Sequence, residues 1–161
     1  SIVDTCKELE QRGADVVGMN CFRGPATMLP YLKEIRKAIS CHMAALPLPF
    51  RTTEENPTFF NLPDNNGCTC QAPHGRTFPT ALDPLYCNRY EMRAFFEEVN
   101  RIGIKLLGVC CGATPMHQRE VAEAVGKTVP ASKYREKMAN HFMYGTNERT
   151  AKHMQEYGDK A

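Results

Sequence analysis

Apolar positions along the first half of this chain alternate between a helical rhythm and short continuous runs. Ile2, Cys6 and Leu9 fall at helical spacing, and Gly13 stands where a helix C-cap glycine would. Residues 14–19 follow as a short, mostly apolar run that reads as a buried strand ending at Asn20-Cys21. Gly24-Pro25 restarts the chain, and Met28, Leu29, Leu32, Ile35 and Ile39 mark a second helix. Pro25 suits the first turn of that helix, whereas Pro30 inside it predicts a kink or a delayed start. A second strand is expected over residues 42–48, closing at Pro47-Leu48-Pro49.

From residue 50 to about 87 the composition shifts to Pro, Asn, Thr and Gly without any period. So long a stretch inside a compact domain reads as a functional loop or an insertion. A third helix is predicted over 89–101, with Met92, Phe95, Phe96, Val99 and Ile102 on one face and Gly103 as its stop. The third strand follows over 104–109. Thr114-Pro115 supplies an N-cap and a first-turn proline, Val121, Ala122 and Val125 form an apolar face, and Gly126 ends this last helix. From Val129 the chain is polar, though Tyr134, Met138, His141, Phe142 and Tyr144 could dock on a neighbour. No internal repeat is visible beyond the alternation itself.

Alternating helices and near-continuously apolar strands predict parallel strands covered by helices. Three strands cannot close a barrel, and an open three-stranded remnant leaves a long exposed edge. In a (β/α)₈ barrel the active site lies at the C-terminal ends of the strands, which is where Cys21, Cys110 and Cys111 fall. The expectation is an α/β fold, a (β/α)₈ TIM barrel of which this chain supplies the C-terminal strand–helix units. Residues 1–128 would be that part of the barrel, and residues 129–161 a C-terminal extension and possible oligomer contact. The start at Ser1, already inside a helical pattern and without Met, suggests a fragment.

Those three cysteines are the candidate chemistry. Asn20-Cys21 ends one strand-like run and Gly108-Val109-Cys110-Cys111-Gly112 ends another, so separate parts of the chain deliver three thiols to strand ends. Structural zinc takes four protein ligands, whereas catalytic zinc keeps one position open. Adjacent residues on a regular strand point to opposite faces, so Cys110 and Cys111 can share a metal only if the strand loses its regularity there. Gly112 makes that departure easy. A strained vicinal disulfide and a pair of inert buried thiols are the rival readings.

Composition narrows the function class. The chain has 161 residues, 42% of them hydrophobic, enough to bury the core of one domain. A formal net charge of +2 with both signs interspersed argues for no nucleic-acid partner. No apolar run approaches a membrane span, and the N-terminus does not read as a signal peptide, so a cytoplasmic location is expected. Eight cysteines would suggest disulfides in a secreted chain, but the missing signal and the strand-end positions argue against that framework. Cys6, Cys41 and Cys87 read as small buried hydrophobes. Cys68-x-Cys70 with His74 and Cys87 is set against free loop thiols as a second metal site. His42 reads as a core-edge histidine, His117 as a helix-start histidine near the pair, and Glu54-Glu55 and Glu97-Glu98 as solvated charges.

The wording around the cysteines carries a family resemblance. Gly18-Met19-Asn20-Cys21 with Gly24-Pro25, then Gly108-Val109-Cys110-Cys111-Gly112 with Thr114-Pro115-x-His117, resembles the zinc-dependent homocysteine S-methyltransferases over residues 1–126. The tail from Ala131-Ser132-Lys133-Tyr134 through His141 and Gly145-Thr146 looks most like the betaine–homocysteine branch. Many relatives have glycine where Val109 stands, and branches using S-methylmethionine often carry arginine where Gly112 stands. Cys21-Phe22-Arg23-Gly24-Pro25 is similar to the homocysteine module of cobalamin-dependent methionine synthases.

The resemblance implies a (β/α)₈ barrel with Zn²⁺ held by Cys21, Cys110 and Cys111, which activates the homocysteine thiol for methylation to methionine. It implies betaine as the donor, with S-methylmethionine or a methylfolate or cobalamin donor as alternatives, and a homo-oligomer for the full-length protein. The donor's aromatic and carboxylate contacts would lie upstream, so this chain alone would not turn over. Phe59, Phe60, Phe78 and Tyr86 read as loop anchors that could also approach the site. An inactive zinc-binding remnant is the competing class. A redox-thiol protein is third, disfavoured by the lack of Cys-x-x-Cys.

Overall fold

Helix formation begins at the first residue. Ser1 Oγ accepts the Asp4 N–H at 3.3 Å and caps α1 (Ile2–Gln11), and Gly13 at φ +93° ends it in the left-handed conformation that glycine tolerates. In this computed structural model residues 1–63, 76–135, 137–141 and 145 are described. The chain divides into two compact units, Ser1–Val129 and Pro130–Ala161.

In the first unit, β1 (Val16–Asn20), β2 (His42–Leu46) and β3 (Leu106–Leu107) form a parallel sheet in the order β1-β2-β3. Val16 faces His42 and Asn20 faces Leu46, while Ala44 and Ala45 face Leu106 and Leu107. The helices α2 (Pro25–Ala38), α3 (Arg89–Arg101) and α4 (Pro115–Ala124) connect or follow the strands. Each packs on the next, and α1 packs on α2 and β1. Met28, Leu32 and Ile35 on α2, with Met92, Phe96 and Val99 on α3, repeat at helical spacing and are fully buried. They meet Val17, Met19, Met43 and Ala45, the residues of β1 and β2 that point towards the helices.

The opposite face of the sheet is bare. Val16 is 42% exposed and Leu106 50% exposed, and Gly18 and Asn20 lie on the same open side of β1. His42 is exposed on the same side and Ala44 and Leu46 are half-buried, so this face mixes apolar and polar groups, whereas parallel sheets are normally covered on both faces.

Three local outcomes differ from the sequence pattern. The third strand, expected over 104–109, is paired as a strand only at Leu106–Leu107. Beyond it Gly108 N–H reaches Ala45 O at 3.2 Å and Cys110 N–H reaches Pro47 O at 2.9 Å, but Pro47 and Pro49 have no N–H to return. The ladder becomes one-sided and stops being a strand. Pro30 neither delays nor divides α2, because the buried Met28, Leu32 and Ile35 hold both halves against the core while Pro30 faces solvent. His42, expected at the core edge, is exposed at the start of β2, the end remote from Cys21.

Charged groups close the surface of this unit. Glu98 is ion-paired with Lys33 at 2.7 Å and Arg101 at 2.6 Å, so it is more than a solvated charge. Those partners, Arg101 first, hold its carboxyl down at about 2. Glu120, fully buried on α4, meets Arg93 of α3 at 3.2 Å, and Glu123 meets the same guanidinium at 2.8 Å. Periodicity does not reveal this α3–α4 contact, since each residue alone reads as polar surface.

Among the described residues of the second unit are two short 3₁₀ turns, Pro130–Tyr134 and Met138–Asn140, with Tyr134 and Met138 exposed. Phe142 and Tyr144 lie outside the described residues, as do Cys68, Cys70 and His74. Among the described residues no helix is long and apolar enough to cross a membrane. Phe96 lies at the centre of the core, so Phe96→Ala should cost about 3–5 kcal/mol in urea denaturation.

Candidate metal centre

Both cysteine arms hang from the end of β2. Cys21 N–H donates to Leu46 O at 2.9 Å, and Cys110 N–H donates to Pro47 O at 2.9 Å. Consecutive carbonyls of one extended segment point to opposite sides, so they capture the neighbouring segments on the left and the right.

The first arm turns sharply after β1. Cys21 (φ +66°) and Phe22 (φ +61°) both occupy the left-handed region, each at a cost of about 1–3 kcal/mol for residues with a Cβ. Surrounding bonds hold them there. Arg23 N–H closes on Cys21 O at 2.7 Å, Phe59 N–H reaches Phe22 O at 3.2 Å, and Leu48 N–H reaches Arg23 O at 3.0 Å. Strain of this kind gathers at functional sites.

The second arm meets the condition set by the strand geometry. Ala113 N–H closes on Cys110 O at 3.1 Å, making a turn with Cys111 and Gly112 at its centre and Gly112 at φ +84°. A positive φ at the third position is the mark of a type II turn. It replaces the alternation of a strand and brings Cys110 Sγ and Cys111 Sγ to 3.7 Å.

Cys21 Sγ lies 3.9 Å from Cys111 Sγ, and all three sulfurs fall within 4.8 Å of one another. A tetrahedral ion with metal–sulfur bonds of about 2.3 Å would place its sulfurs about 3.8 Å apart. The donor set therefore fits zinc in both chemistry and spacing. Cys21 and Cys110 are half-buried and Cys111 is exposed, so one side of the cluster opens outward. Six cysteines are described and all six are free thiols, and 3.7 Å is far from the bonded distance a vicinal disulfide requires. Burial first, then the thiols of Cys21 and Cys111, push Cys110 up to about 11.

Behind the sulfurs stands an aromatic wall built by the loop. Leu48, Phe50, Phe59 and Leu62 form a second small core against which Cys21, Cys110, Phe78 and Tyr86 pack. Phe50 stacks on Phe59 with centroids 6.0 Å apart and tilts against Tyr86 at 4.8 Å. Phe59, Phe60 and Phe78 thus anchor the loop, as expected of them, and the anchor also backs the thiols. Phe50 is the residue the sequence pattern passed over, because it sits at a strand end with no motif around it. A Cβ on Gly112 would lie 2.7 Å from the Phe50 ring, so only glycine fits there.

The other candidates fall elsewhere. Cys6 and Cys87 are buried and Cys41 half-buried, with burial raising Cys87 to about 12. His117 starts α4, is almost fully buried and makes no contact with the three sulfurs through its ring nitrogens, which meet Thr114 and Cys87 O instead. Glu54 and Glu55 are exposed.

Residues 1–125 match the homocysteine S-methyltransferase family. The chain belongs to that family. Betaine–homocysteine S-methyltransferase 1 of Danio rerio is 35% identical over 119 residues, covering 71% of this chain and 27% of the relative. The enzyme of the same name from Xenopus tropicalis is 29% identical over 121 residues, with the same coverage. An S-methylmethionine–homocysteine S-methyltransferase of Mus musculus is 29% identical over 122 residues, covering 72% of this chain and 30% of the relative. The chain thus spans less than a third of each of these three curated relatives. Gly112→Ala should lower stability by about 1–3 kcal/mol, through its left-handed φ and the Phe50 contact, as read by thermal melting.

Proposed function

We propose that Cys21, Cys110 and Cys111 hold Zn²⁺, and that the protein carrying this chain methylates the thiol of homocysteine to give methionine. The observation that carries this reading is the convergence of three sulfurs from two strand ends at 3.7 and 3.9 Å, with one side open. Bound there, the ion would supply the Lewis acidity that ionises a substrate thiol near neutral pH.

The residues of this chain do the rest of the work on the acceptor side. The Leu46 and Pro47 carbonyls set the distance between the two arms, and the turn at Gly112 brings the sulfurs of the pair together on one side. The wall of Phe50, Phe59 and Tyr86 shields the cluster from water on one side and leaves substrate the other. In the overall transfer a sulfur–methyl bond forms and the donor's nitrogen–methyl bond breaks. Nitrogen keeps the electron pair, and the thiol proton leaves to water.

Betaine is the donor we favour, with dimethylglycine as co-product. Two of the relatives described above are named for betaine and one for S-methylmethionine, and Gly112 after the pair supports the betaine side. We place residues 1–128 as the closing units of a (β/α)₈ barrel. Three consecutive parallel strands and the exposure of Val16 and Leu106 on the sheet face away from the helices support that placement. Residues 129–161 are then an extension available for contact with another subunit. Free thiols at the centre suit a reducing compartment such as the cytoplasm.

The purified chain should bind one zinc, release it to a strong chelator, and lose it in Cys21→Ala, Cys110→Ala and Cys111→Ala. Full zinc retention by Cys110→Ala would rule out this ligand set. The 161-residue chain should form no methionine from homocysteine and betaine, whereas the longer protein containing it should. Robust turnover by the chain alone would overturn the assignment of the donor's contacts to other parts of the protein.

A further inference from the structure

The loop reaches the backbone of the Cys110–Ala113 turn through one tyrosine side chain. Tyr86 OH donates to Gly112 O at 2.8 Å. This bond sits one residue beyond Cys111, on the peptide whose orientation decides whether the segment stays turned or straightens. A straight segment would send Cys110 and Cys111 to opposite faces. We propose that Tyr86 is a positioning residue for the cysteine pair, holding both sulfurs on the side where a metal would be bound. The proposal rests on the reading of Cys21, Cys110 and Cys111 as metal ligands.

Tyr86, half-buried, can hold the carbonyl because its backbone and its ring are both held. Its backbone N–H donates to Asp83 O at 3.2 Å, and the next N–H, of Cys87, donates to Pro49 O at 2.8 Å. Its ring meets Phe50 at 4.8 Å, the same phenyl ring that closes on the Gly112 α-carbon. The Tyr86 ring also meets His117, stacked at 5.6 Å with 19° between the planes.

His117 is 1% exposed and fixed at both nitrogens. The Thr114 backbone N–H, 3.0 Å from Nδ1, can only donate, so Nδ1 accepts and Nε2 carries the ring proton. Nε2–H then donates to Cys87 O at 3.2 Å. The path closes on itself. The chain runs from the cysteine pair into α4, His117 of α4 packs on Tyr86, and Tyr86 returns to the pair through Gly112. A turn anchored at both ends in this way has little freedom to open, and the hydroxyl is the one link removable without disturbing the rings.

Tyr86→Phe tests this, since it deletes that hydroxyl and keeps the stack. Thr77→Val is the control. It removes another hydroxyl-to-carbonyl bond, from buried Thr77 to Leu62 O at 3.0 Å, in the same loop and not to the Cys110–Ala113 backbone. Zinc affinity of the full chain would be measured by competition with a chromophoric chelator. The Co²⁺-loaded chain would report sulfur-to-metal charge-transfer bands. The expected result is about two- to tenfold weaker zinc binding and altered charge-transfer bands in Tyr86→Phe, the size of one net hydrogen bond. Thr77→Val should match the unmodified chain in both readouts, even if it melts earlier. Equal zinc affinity and an unchanged Co²⁺ spectrum in Tyr86→Phe would overturn the proposal, and so would an equal loss in both variants. Failure of the unmodified chain to bind zinc at all would instead overturn the ligand assignment on which it rests.

Discussion

Two consecutive carbonyls at the end of the central strand, Leu46 O and Pro47 O, are what the candidate centre depends on. One takes the N–H of Cys21 and the other the N–H of Cys110, each at 2.9 Å. The alternation of an extended backbone aims them at opposite neighbours, so a single short segment sets the separation of two arms that are distant in the chain. The same segment is why the third strand is short. Prolines at 47 and 49 accept from their neighbours but cannot donate back, and the freed backbone beyond Leu107 becomes available to turn.

That freedom has to be paid for in packing. Cys21 and Phe22 are held at left-handed φ values, at about 1–3 kcal/mol each. The loop answers with contacts among Phe22, Phe50, Phe59, Phe60, Phe78 and Tyr86. Favourable ring pairs contribute about 0.5–1.5 kcal/mol each beyond their buried area, so the six contacts are of the same order as the strain. The aromatic residues described between β2 and α3 therefore act as the wall that offsets the strain of the turn at the strand ends. Its attachment to α3 is equally specific, through the paired Arg51–Glu91 contacts at 2.7 Å beside the Asn88 cap.

The two faces of the sheet show how unevenly this chain is covered. Towards the helices, Val17, Met19, Met43 and Ala45 are buried, whereas Val16 and Leu106 on the other side remain about half exposed. Parallel sheets are normally covered on both faces, and the chain spans less than a third of the relatives it matches. The cysteine cluster lies at the C-terminal ends of these strands, the end at which parallel α/β folds gather their reactive groups.

The helices and the order of elements were legible in the residues themselves, since their signals are local. Thr114-Pro115 marks a helix start, Gly13, Gly103 and Gly126 mark the ends, and the 3.6-residue repeat marks the buried faces. The three cysteines were also legible, as thiols at strand ends. What no local pattern encodes is a meeting of distant groups. Phe50 under Gly112, Tyr86 on the Gly112 carbonyl, Arg93 on buried Glu120 and the left-handed turn at Cys21 follow only once β2 has paired on both sides. Sequence by itself determined which side chains are available for metal chemistry. Tertiary structure decided that three of them share one site, because sulfur spacing is set by backbone hydrogen bonds and ring packing between segments far apart in the chain.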